Sequence, residues 1–223
     1  MRIFKRITSV LFAVGVLMSL TACANSTENS SVSTGEPQRT FPSEVVTAEP
    51  KVTEVVAAAD GPRVYIGNTT AKAGEYADVT LYVENAEQNW SFCGLHITYP
   101  DVLEPKMLEI GNPDDNLVDY TRGEASKYSS GATAMLWTNN IPEEITSNNL
   151  GCFFFAEMFG DNYGLDGDIV TFKLKIPEDA ESGTVYPIGF YYLETDTFQN
   201  MEADLSLQKY TFENLKEGSI TVE

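Results

Sequence analysis

Between Phe92 and Tyr99 the chain reads Phe-Cys-Gly-Leu-His-Ile-Thr-Tyr, and Pro100-Asp101 follows. Side chains of a strand alternate between its two faces. Cys93, Leu95, Ile97 and Tyr99 therefore point one way and Phe92, Gly94, His96 and Thr98 the other. The first set is a core face. The second is mixed, part apolar and part polar, so the question the sequence poses is what that second face binds. Ala77-Asp78-Val79-Thr80-Leu81-Tyr82-Val83 repeats the alternation, with Ala77, Val79, Leu81 and Val83 inward and Asp78, Thr80 and Tyr82 outward.

Further strands are expected at Val64–Gly67, Ala132–Thr138, Cys152–Met158, Ile169–Ile176, Tyr186–Leu193 and Gly218–Val222, with Gly, Pro, Asn and Asp between them. Short strands punctuated in this way predict an all-β sandwich or barrel. Residues 112–130 and 141–149 are too polar for core strands and read as long loops or as loops carrying a helical turn. A short helical turn is expected near Glu213-Asn214-Leu215-Lys216.

The N-terminus is organised differently. Arg2, Lys5 and Arg6 precede an apolar run from Ile7 to Leu20 and the tetrapeptide Leu20-Thr21-Ala22-Cys23. Such a run is too short and wrongly flanked for a stable membrane span and reads as a secretory signal, 1–22. The tetrapeptide resembles a bacterial lipobox, whose cysteine becomes the lipid-modified first residue, here Cys23. Residues 23–61 read as a linker rich in Ser, Thr, Asn, Glu and Pro, unable to bury enough apolar surface to offset its ordering entropy. As a flexible coil, residues 24–60 span roughly 35 Å end to end and about 120 Å when stretched. The remaining residues, 62–223, have a length that suits one domain.

Removing the leader takes away three of the 14 basic residues and none of the 33 acidic ones, leaving a net charge of 11 − 33 = −22. A surface so acidic repels phosphate backbones and anionic headgroups, which argues against nucleic acid as a partner and against direct contact with the membrane beyond the anchor. With Cys23 lipidated, Cys93 and Cys152 remain, too few for a disulfide scaffold or a zinc site. Cys93 shares parity with Leu95 and Ile97, whereas Cys152 shares parity with Phe154 and Ala156. The two thiols are expected on opposite faces of a sheet and unpaired.

Catalytic patterns are sparse. His96 is the one histidine in the chain, which removes most zinc and acid–base arrangements, and no Gly-x-Ser-x-Gly elbow is present. It reads either as a solvent-facing strand residue or as a contact residue. Asp161–Asp168 gathers carboxylates near glycines but fails the EF-hand spacing, with Tyr163 at the third position and Phe172 at the twelfth, and reads as a turn. Trp90, Trp137, Phe154 and Tyr192 raise the alternative of aromatics stacking on sugar rings, and a glycoside hydrolase is a further alternative that the many carboxylates leave open.

Taken together, Val64–Gly67 with Ala71-Lys72-Ala73-Gly74-Glu75, Cys93–Tyr99 with Val102-Leu103-Glu104, Phe153–Glu157, Asp166–Leu174 and Gly218–Val222 resemble, in order and spacing, a cohesin, the module of cellulosome-type assemblies that binds dockerins. The resemblance implies a jelly-roll β-sandwich of about nine strands, without catalysis and without a cofactor of its own, calcium being expected on the dockerin. It carries the family's contact positions to Phe92, Gly94 and His96, to Met135 and Trp137, to Phe154, Ala156 and Glu157, and to Glu194. Two departures are a shorter turn after Tyr99 and an insertion over Asn140–Asn149. The expectation is a monomeric cohesin domain on the outer face of a bacterial membrane, lipid-anchored through Cys23, tethering dockerin-bearing proteins such as polysaccharide-degrading enzymes or scaffoldins.

Overall fold

The structure is a computed structural model that describes residues 61–109, 115–203 and 205–223. The expected signal, Cys23 and all of the linker but Gly61 lie outside the described residues. Its strands are β1 (Arg63–Ile66), β2 (Asn68–Ala71), β3 (Tyr76–Glu84), β4 (Phe92–Pro100), β5 (Glu104–Pro105), β6 (Tyr120–Arg122), β7 (Gly131–Leu136), β8 (Leu150–Met158), β9 (Gly167–Lys175), β10 (Val185–Phe190), β11 (Thr197–Gln199) and β12 (Gly218–Val222). Helices α1 (Glu143–Thr146) and α2 (Leu205–Glu213) interrupt them, and a 3-10 turn covers Glu124–Ser126.

Two sheets result. The smaller runs β1-β3-β9-β5, with β6 also on β9; the larger runs β2-β12-β10-β4-β8-β7, with β11 also on β4. The chain crosses from the smaller to the larger sheet at Gly67, between β1 and β2, where a Cβ would stand 2.9 Å from the Tyr82 ring. Strands β3 and β4 present the faces expected of them: Ala77, Val79, Leu81 and Val83, and opposite them Cys93, Leu95, Ile97 and Tyr99, are all buried. Phe153 and Phe155 of β8 meet Phe172 of β9 at ring-centroid distances of 4.6 and 5.6 Å, so the two sheets close on one aromatic and aliphatic core. This is the all-β sandwich that the strand pattern predicts. The strands beyond about nine are segments of two to four residues too short to carry a period.

Three local expectations are refined. The 141–149 segment does carry a helical turn, α1, and the described part of 112–130 holds β6 and the 3-10 turn. Helix α2, nine residues long, begins well before the Glu213 turn expected. It is held by tertiary packing, with Leu207 and Thr211 buried and Phe212 against Tyr192 at 4.8 Å. The Asp161–Asp168 stretch joins β8 to β9, with Gly167 and Asp168 opening β9 itself. Asp166 accepts from the backbone N–H groups of Asn85 and Ala86 at 3.0 and 2.8 Å, which explains a carboxylate there without a metal. No helix among the described residues is long and apolar enough to cross a membrane.

Glu217, just before β12, is buried, and neither carboxylate oxygen has a hydrogen-bond partner. Burial pushes its carboxyl up to about 7 from 4.5. A raised pKa means the folded protein holds the proton more tightly than the unfolded chain. This stabilisation is full below about pH 4.5 and is lost as the pH rises through about 7. Glu217→Gln should therefore match the parent in urea unfolding at acid pH and exceed it at alkaline pH by at most about 3 kcal/mol, solvent screening taking part of the full shift. An equal offset at both pH values would show that Glu217 does not titrate in this way.

Candidate functional site

The outer face of the larger sheet is built by register. Antiparallel pairing sets Phe92 opposite Met158, Gly94 opposite Ala156, and His96 opposite Phe154. On the other side of β8, Gly131 faces Met158, Thr133 faces Ala156 and Met135 faces Phe154. Beyond β4, Thr197 pairs with Gly94 and Gln199 with Phe92. The rows Met135-Phe154-His96, Thr133-Ala156-Gly94-Thr197 and Gly131-Met158-Phe92-Gln199 thus form a patch with no carboxylate, lysine or arginine in it, on a chain otherwise strongly acidic.

Seven of the nine expected contact residues come together here. Phe92, Gly94, His96, Phe154 and Ala156 share the outer face, Met135 is exposed on β7, and Trp137 follows the end of β7, its backbone N–H donating to the Cys152 carbonyl at 2.9 Å. At Gly94 an added Cβ would stand 3.2 and 3.3 Å from the Phe92 and Phe154 rings, so both rings lie over the bare backbone. Thr133, Met158 and Thr197 were not anticipated. Met158, exposed, could have been found by continuing the alternation two residues past Ala156.

Glu157 is a correction. Adjacent strand residues cannot share a face, and with Ala156 outward Glu157 turns inward, buried, accepting a hydrogen bond from the Ser126 hydroxyl. Burial pushes its carboxyl up, and the Ser126 bond opposes that shift. Its side chain belongs to the seam between β8 and the 3-10 turn. Glu194 is exposed but sits on a turn after Leu193, outside the strand lattice.

His96 is neither solvent-facing nor simply exposed for contact. The ladder beside β4 is broken at its level: β10 pairs as far as Phe190 with Ile97, and β11 resumes with Thr197 at Gly94, so residues 191–196 span the place of Leu95 and His96. The backbone N–H of His96 is left without a strand partner and donates to Asp196 Oδ2 at 3.2 Å, while His96 Nδ1 lies 2.7 Å from Asp196 Oδ1. The ring is flanked by Trp137 and Phe154 at centroid distances of 4.7 and 4.8 Å.

One end of the face is sealed. Ile145 of α1, Cys152, Tyr191 and Leu193 form a second small core, with Trp137, Ile141 and Leu150 packed against it. The 141–149 segment therefore folds down over the outer face at the Cys152 end and leaves the Phe92–Met158 end open. Shallow grooves flank the open patch, one of about 530 Å³ between Asp115–Leu117 and Met135–Asn139, the other of about 280 Å³ between Phe92, Gly131–Thr133 and Ala156–Met158. Cys93 and Cys152 are both free and buried, on opposite faces of the sheet as parity predicts, and burial pushes both thiols up.

Burial removes Trp90 from the aromatics available for sugar stacking. Trp90 is fully buried, packed against Phe159 and Phe198, and its Nε1–H donates to the Leu165 carbonyl at 3.1 Å.

Against known proteins, no family model matches the chain, and no curated protein matches it. Solved structures do. A type III cohesin module from the cellulosomal cell-surface anchoring scaffoldin ScaE of Ruminococcus flavefaciens is similar over 76% of this chain and 92% of that one, at 26% identity and a TM-score of 0.59. The sixth cohesin of scaffoldin B from Acetivibrio cellulolyticus, solved in complex with a Cel5 dockerin, is similar in fold at 14% identity and a TM-score of 0.51, over 73% of this chain and 99% of that one.

Proposed function

We propose that this chain, whose β-sandwich is a cohesin domain, binds dockerin-bearing proteins through the outer face of its larger sheet and tethers them at the cell surface. The observation that carries the reading is the uncharged patch of Phe92, Gly94, Met135, Phe154, Ala156 and Met158, set in a domain similar to a cohesin of a surface-anchoring scaffoldin. Exposed apolar groups gathered on one face of an acidic protein mark a protein-binding surface. The domain acts as a non-catalytic receptor, 62–223, with calcium brought by the dockerin.

The leader and linker complete the proposal. Lipidation at Cys23 would hold the domain on the outer face of the membrane, and the linker 23–61 would let it sample a shell some tens of ångströms deep, where a released dockerin rebinds before it diffuses away. The tethered proteins would be polysaccharide-degrading enzymes or scaffoldins.

Immobilised full chain, incubated with secreted proteins of the source bacterium and calcium, should retain dockerin-bearing proteins, and each purified dockerin should bind in titration. Retention of proteins without dockerins, and no binding by purified dockerins, would overturn the reading. In cells, Cys23→Ser should move the protein from washed membranes to the medium. Its persistence in the membrane would refute the anchor alone.

A further inference from the structure

On this face the His96 ring is held in one orientation by a buried carboxylate, and its chemistry restricts what the partner can present. Asp196 engages His96 twice, through the backbone N–H and through Nδ1, at 3.2 and 2.7 Å. A carboxylate accepts but does not donate, so Nδ1 must carry the hydrogen. In the neutral ring Nε2 is then bare, an acceptor. Imidazole geometry points Nε2 away from Nδ1, and Asp196 is buried, its side chain 2% exposed. The 11% of the His96 side chain that reaches solvent is thus on the edge away from Asp196, between Trp137 and Phe154.

Resting on the proposed dockerin reading, we infer that His96 Nε2 is a hydrogen-bond acceptor within the binding face that selects a partner presenting a hydroxyl, amide or ammonium donor there and disfavours a carboxylate, and that Asp196 is the positioning residue that sets this polarity. Neither the alternation around His96 nor any short motif indicates Asp196, which lies 100 residues along the chain.

The Asp196→Asn substitution inverts the polarity while keeping the shape. The backbone N–H of His96 cannot change role, so the amide oxygen takes it and the amide NH₂ turns to Nδ1, which must then accept. The ring hydrogen moves to Nε2, making a donor of the acceptor. Because His96 is the one histidine of the chain, the tautomer can be read directly from the imidazole ¹⁵N signals of the full chain at alkaline pH.

The parent should show a protonated Nδ1 and a bare Nε2, and Asp196→Asn the reverse. With the dockerin recovered by the immobilised chain as probe, Asp196→Asn and His96→Phe should each weaken binding by about 10- to 100-fold, because a partner donor is left buried without an acceptor. His96→Gln, whose carbonyl oxygen can accept, should recover part of the loss. Melting curves separate misfolding from altered recognition. A protonated Nε2 in the parent, or full affinity in a folded His96→Phe, overturns the inference and leaves the dockerin reading intact. If the parent chain binds no dockerin, that reading falls and this one with it.

Discussion

Phe154→Ala is expected to melt with the parent and to lose about 30- to 1,000-fold in dockerin affinity, the 2 to 4 kcal/mol typical of an interface anchor. Phe154 is half-buried in the unbound domain, on the outer face, with its ring against His96 and over Gly94. Little of its packing serves the core, which lies on the opposite side of the sheet with Phe153 and Phe155. Truncation removes contact area from the Met135-Phe154-His96 row of the patch while leaving the sandwich closed. Trp137→Ala provides the contrast. Its ring packs against the second core, with Tyr191 at a centroid distance of 6.2 Å, as well as against His96, so this variant should lose both melting temperature and affinity. Calorimetric titration alongside thermal melting distinguishes the two. Full affinity in a folded Phe154→Ala would move the site elsewhere; a melting point many degrees below the parent would make Phe154 a core residue.

Trp90→Ala should destabilise the domain by about 3 to 5 kcal/mol, the range for emptying a large aromatic from a core. For a domain of this size the melting temperature should fall by roughly 10 to 20 °C. Trp90 is fully buried between Phe198 and Phe159, and the turn before β9 is shaped around it: a Cβ at Gly164 would stand 2.1 Å from the indole. The lost bond to the Leu165 carbonyl adds to the cost. At temperatures where the variant is folded, dockerin affinity should change little, since Trp90 has no place on the outer face. A variant that melts with the parent would contradict its burial.

Much of the site was legible from parity. Alternation in β4 and β8 separates Leu95, Ile97, Phe153 and Phe155 from Gly94, His96, Phe154 and Ala156, because a pleated strand permits only two directions. The same rule divides Cys93 from Cys152, and it sets Glu157, a contact position on the resemblance alone, on the inner face because it neighbours the outward Ala156. Composition and charge argue against nucleic acid as a partner without any structure, because acidity depends on counting residues and not on placing them.

What only the tertiary structure decided concerns segments distant in sequence that meet on one face. The 141–149 segment reads as a polar loop, yet its Ile145 closes a second core over Cys152 and Tyr191 and so sets which end of the sheet stays open. Helix α2 has little amphipathic signal of its own and exists through Leu207, Thr211 and Phe212 against the sandwich. Asp196 meets His96 because the chain leaves the sheet after Phe190 and returns at Thr197, stranding one backbone N–H that a carboxylate must satisfy. Local pattern records which way a side chain points. It carries no record of which distant segment arrives to cover it, since that depends on how the whole chain closes its remaining polar groups and apolar surface.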